Sequence, residues 1–167
     1  MHFASFLQWL HDTSFSIMMR ESLWAEPIVE TIHVLTLTLF FGFAVLLDLR
    51  LLGIVLTSRP ISEVLEQLNK GLGIGYAIMI VTGILLFIGD PIAFFSTFVF
   101  KLKMVLLIVA GVNAALFSVA ISKRSYGWDL APNPPWQAKL SGIVSLFLWV
   151  AIIAAGRVIA YVLPPPI

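Results

Sequence analysis

Four apolar stretches dominate the chain, running from about Pro27 to Leu56, Leu72 to Ile88, Lys103 to Ile121 and Leu140 to Leu163. Each is long enough to cross a hydrocarbon layer about 30 Å thick at roughly 1.5 Å of rise per helical residue. Polar positions gather at their ends: Glu26 and Glu30 at the start of the first, Asp48 and Arg50 at its close. Pro27 suits an opening helical turn, where its missing N–H has no intrahelical partner to lose. Gly89-Asp90-Pro91 is a turn signal that stops the second stretch, and Pro164-Pro165-Pro166 closes the fourth. The pattern predicts an all-α integral membrane protein, an antiparallel four-helix bundle over residues 27–167.

Residues 1–26 form a separate N-terminal amphipathic segment. Phe3, Phe6, Leu7 and Leu10 recur at helical spacing beside Trp9, which predicts a short helix lying in the headgroup layer. A basic n-region and a small-residue cleavage pattern are lacking, so the segment is expected to stay in the mature protein. Ile61, Val64, Leu65 and Leu68 repeat the pattern between spans one and two, predicting a second surface-lying piece.

Composition narrows the class. Of 167 residues, 60% are hydrophobic and 11% charged, and the mean hydropathy is +1.02. A soluble domain of this size needs a more polar surface, so a soluble enzyme and a disordered tail are both excluded. A net charge of +1 with no basic stripe argues against nucleic acid and leaves the lipid bilayer as the first partner. Without cysteine there is no disulfide framework, thiolate nucleophile, iron–sulfur cluster or cysteine-held zinc.

Loop charge sets an orientation. Arg50, Arg59, Lys70, Lys123, Arg124 and Lys139 flank the first and third connections, against Arg20, Lys101, Lys103 and Arg157 on the other side. Six against four places those two connections in the cytoplasm and both termini outside.

Candidate chemistry lies in one leaflet. His33 sits six residues into span one, Lys103 opens span three, and Arg157 precedes the closing prolines of span four. In an antiparallel bundle these three ends share a face, and ionisable groups at that depth are costly unless paired or turned inward. A neutral imidazole ligates haem iron, and nearby cations hold haem propionates, so His33 as metal ligand with Lys103 and Arg157 beside it fits a b-type haem. A sixth ligand, if there is one, comes from His11 or His2 folding back, or from Met79 or Met104. The plainer alternative pairs His33 with Glu30 or a carbonyl and lets Lys103 and Arg157 snorkel to the headgroups.

The run Pro27-Ile-Val-Glu-Thr-Ile-His33, with Phe41-Gly42, Asp48-Leu-Arg50-Leu-Leu-Gly53, Thr82-Gly83, Phe100-Lys-Leu-Lys103-Met, Asn113 and Gly156-Arg157-Val-Ile-Ala-Tyr161, resembles a family of small bacterial four-span membrane proteins of unassigned function. The resemblance covers nearly the whole chain. More distantly the chain resembles haem b four-helix membrane proteins: the bacterial protoporphyrinogen IX oxidases and the membrane domains of CopD-type copper-resistance proteins. That likeness implies a haem or porphyrin site near His33 and Lys103, although Asp48-Leu-Arg50 departs from the aromatic-rich ending of the oxidases' first span.

Two residues apart on a helix, Asp48 and Arg50 need separate partners; Asp48 is expected to turn inward and Arg50 to reach lipid headgroups. Gly71 and Gly75, Ala110 and Ala114, and Gly142 are expected at close helix contacts, and Asn113 at an interhelical hydrogen bond. The readings that remain are an electron-transferring b-type haem protein with a quinol, porphyrin or redox-protein partner, or a cofactor-free accessory or assembly subunit of a larger membrane complex or homo-oligomer. Transport has little support without an internal repeat, and metal hydrolysis has none, since no H-E-x-x-H spacing occurs.

Overall fold

The computed structural model describes residues 2–121, 128–131 and 133–162. Helices α1 (His2–His11) and α2 (Ser14–Glu21) precede α3 (Ala25–Leu51), α4 (Ile61–Gly89), α5 (Pro91–Ser96), α6 (Phe98–Leu116) and α7 (Trp136–Val162). A single π turn, Phe117–Ile121, ends α6. The described residues contain no strand. Four helices are long and apolar enough to cross a membrane: α3, α4, α6 continued to Val119, and α7.

Local chemistry sets the boundaries. Ser22 Oγ accepts from the N–H groups of Trp24 and Ala25, satisfying donors at the start of α3 that have no intrahelical acceptor. Asp90 ends α4 and begins α5 at once, its Oδ1 accepting from Ala93 N at 3.0 Å with Pro91 in the first turn. The closing prolines, Lys123 and Arg124 lie outside the described residues.

In the bundle α3 packs against both α4 and α7, and α6 packs against α7. Helices α4 and α6 are not among the closely packed pairs; they meet where the rings of Phe87 and Phe100 stack at 5.4 Å. On α3 and α7, Phe40 and Trp149 make an edge contact at 4.7 Å. Close approach at the other end of that pair depends on Gly142: a Cβ there would stand 3.1 Å from the Asp48 carbonyl oxygen and 3.4 Å from Leu51 Cβ. The expected Asn113 bond forms, with Nδ2 donating to the Ser141 carbonyl across α6 and α7 at 3.1 Å.

Two surface-lying segments differ from expectation. Ile61 and Val64, 0% and 2% exposed, belong to the first turns of α4. Nothing between Leu68 and Leu72 breaks the helix, so it runs continuously from the connection into the membrane span. Its apolar stripe packs on protein: Ile61 shares a core with Leu51, Phe117 and Ala138. The N-terminal segment is two helices divided at Asp12-Thr13, where Thr13 Oγ1 accepts from Ser16 N. Ser16 and Met19 are buried, and Ser16 Oγ donates to the Gly89 carbonyl at 3.1 Å. Arg20 donates to the same carbonyl at 2.9 Å and to the His11 carbonyl at 3.1 Å, tying α1 and α2 onto the C-terminal end of α4. Phe3, Phe6 and Trp9 remain exposed, as an interfacial helix requires.

Candidate functional site

His33 lies on α3, two turns inside the face that carries α1, α2 and α5. Its Nδ1 is 2.7 Å from Thr82 Oγ1 on α4. Thr82 is 5% exposed and has one hydroxyl hydrogen, for which the Ile78 carbonyl of its own helix is an acceptor at 2.7 Å. A hydroxyl whose hydrogen goes to Ile78 accepts from Nδ1–H, and one whose hydrogen turns to the ring donates to Nδ1; the first arrangement is the tautomer that leaves a lone pair on Nε2, which has no hydrogen bond among the described residues. Next to Thr82 is Gly83, where a Cβ would stand 3.5 Å from His33 Cε1, so the glycine lies directly against the ring edge.

Lys103, on α6, lies within electrostatic reach of the His33 ring. Its ammonium rests against α7 at Gly156, where a Cβ would be 3.4 Å from Nζ. Arg157 is one residue on and exposed; it turns to its own helix, donating to Tyr161 Oη at 2.7 Å with the guanidinium 4.9 Å from that ring's centroid. The structure thus brings His33 and Lys103 together and leaves Arg157 at the rim. His11 stands outside the bundle with Nδ1 3.1 Å from Asp12 Oδ1. That contact, followed by one from Gln8, holds the Asp12 carboxyl below the usual carboxylate range. The His2 side chain lies outside the described residues. Glu30 does not partner His33; Thr82 does.

Thr82 was not among the expected site residues, though it is a hydroxyl in an otherwise apolar run beside a glycine. No group of three or more His, Asp or Glu side chains is placed to hold a metal among the described residues, so any metal here would rest on a lone imidazole and a prosthetic group.

The opposite face holds a second polar node. Arg50 is 0% exposed and does not reach the headgroups; Nη2 donates to the Arg59 carbonyl at 2.9 Å, and the Asp129 carbonyl lies at 3.5 Å. Its Nε and Nη1 have no partner among the described residues. Asp48, 4% exposed, turns inward as expected and meets Ser145 on α7, while its Oδ2 has no partner among the described residues. Asp129 caps α4 from a distant loop: its carboxylate accepts from Ser62 N and Ser62 Oγ, both at 2.8 Å. Together these contacts join the two connections on this face.

Four apolar spans with interfacial helices on one side define a multi-pass helical membrane protein. Residues 5–162 match the DUF6644 family, a family of unknown function, and the chain belongs to it. Neither the curated proteins nor the solved structures provide a significant match.

Proposed function

We propose that this protein binds b-type haem through His33 and takes part in electron transfer in a bacterial inner membrane, with a quinol or porphyrin-like molecule as its redox partner. The carrying observation is the Thr82 hydroxyl. With its hydrogen given to Ile78 it accepts from Nδ1–H and leaves Nε2 free, the tautomer that a haem ligand requires and the one assigned in this reading. Lys103 supplies a cation within electrostatic reach of that imidazole and is assigned to a propionate. Helices α4 and α6 are joined by ring stacking in place of close backbone packing, and this reading requires that seam to take a flat macrocycle. Bound there, the iron would carry one electron by cycling between its ferric and ferrous states. Arg157, held by Tyr161, is left at the edge of the site, and His11, held by Asp12, is given no ligand role. Both termini are assigned to the outer side, with the Arg50 and Asp129 node facing the cytoplasm.

The test is the absorption spectrum of the purified full-length protein expressed with haem supplied. A Soret band with reduced-minus-oxidised α and β peaks is expected, and it should be lost in His33→Ala while circular dichroism stays helical. A folded, colourless wild-type protein would overturn the assignment and favour a cofactor-free accessory subunit.

A further inference from the structure

In the other half of the bundle, a cleft of about 620 Å3 opens between the end of α6, its π turn and the start of α7. It lies far from His33: Ser141 in the cleft and Gly156 at Lys103 are fifteen residues apart on one helix, roughly 22 Å. Its walls are largely apolar, and the polar groups set into them are hydrogen-bond donors. Asn113 gives one amide hydrogen to the Ser141 carbonyl and receives the Ser141 hydroxyl at Oδ1, which leaves its second amide hydrogen free. The indole N–H groups of Trp128 and Trp136 and the amide of Gln137, all lining the cleft, make no hydrogen bond among the described residues. Among the described residues no carboxylate, lysine or arginine lines it.

That lining selects a ligand class. Donors without counter-charges suit neutral acceptor oxygens, and an anionic phosphate head would find no cation among the described lining residues. The apolar walls and a membrane-level position suit a flat body with a hydrocarbon tail. We propose that the cleft binds the ring of a membrane-soluble quinone, whose carbonyl oxygens accept from Asn113, Gln137 and the two indoles. The site supplies a partner for the haem reading but stands on separate residues, so either can fail without the other.

Decylubiquinone titrated into the full-length protein, carrying Trp9→Phe and Trp24→Phe to remove distant emitters, should quench the remaining tryptophan fluorescence saturably. Val144→Phe, which fills the cleft, should abolish the saturable part. Gln137→Leu, at an exposed position where folding is not at stake, should weaken binding by up to about tenfold, as expected for one lost donor. The same saturable quenching is expected in His33→Ala. Linear quenching without saturation, or saturation unchanged in both cleft variants, would overturn the proposal even if the haem band were present. Loss of the haem band with saturable quenching retained would overturn only the haem assignment.

Discussion

At the scale of single residues, the site depends on one proton. In the tautomer assigned above, the Thr82 hydroxyl gives its hydrogen to the Ile78 carbonyl and accepts from His33 Nδ1. Thr82→Val keeps the shape but removes the acceptor, leaving the Nδ1–H of His33 unsatisfied in an apolar setting. Haem affinity should fall by roughly 10–100-fold, the usual consequence of losing a partner behind a metal ligand. A haem titration followed at the Soret band measures this, and Thr82→Ser should restore most of the loss. Equal affinity in Thr82→Val would show that the hydroxyl does not position the ligand. His33 was readable in the sequence because a histidine inside an apolar run is conspicuous. Thr82 was not, since a threonine bonding its own helix looks the same in sequence as one bonding a neighbour. Arg50 was misjudged for a related reason: a cation at a span end normally reaches lipid, and only the fold reveals the Arg59 and Asp129 carbonyls that draw it inward.

At the scale of elements, the spans were legible because their hydrophobicity is long and continuous. Their ends were less so. Apolar positions at Ile61 and Val64 have the same spacing whether a stripe faces lipid or a neighbouring helix, and burial against Leu51 and Ala138 decides the matter. Likewise Asp129 gives no sign in sequence of capping a helix 67 residues away. Asp129→Ala removes two hydrogen bonds from the first turn of α4 and a negative charge from the positive end of its dipole, and should cost about 1–2 kcal/mol. Hydrogen exchange at Ser62 and its neighbours, together with thermal unfolding in detergent, should show the loss. Gly142→Val should be more disruptive. Its Cβ would meet the Asp48 carbonyl oxygen at 3.1 Å and Leu51 Cβ at 3.4 Å, atoms held by the α3 backbone that cannot swing aside as the end of a long side chain can. Separating α3 from α7 should cost about 1–3 kcal/mol, read as a lowered midpoint of unfolding.

At the scale of the whole molecule, the two faces are built differently. On the face that carries α1 and α2, Arg20 is spent capping α4, Lys101 sits 4.9 Å over the Phe95 ring, and Arg157 is held by Tyr161. The other face carries Arg59, Lys70 and Lys139, and in the sequence Lys123 and Arg124 fall in the connection between the third and fourth spans, so positive charge there opposes translocation. The His33 site should then lie in the outer leaflet and the α6–α7 cleft in the inner one. Because the chain contains no cysteine, single substitutions give unambiguous labels. Leu23→Cys, at an exposed position between α2 and α3, should react in intact cells with a membrane-impermeant maleimide. Ser58→Cys, exposed in the turn before α4, should react only after the membrane is opened. The reverse pattern would invert the molecule, placing His33 toward the cytoplasm and the cleft toward the outside, while leaving the internal geometry of both untouched.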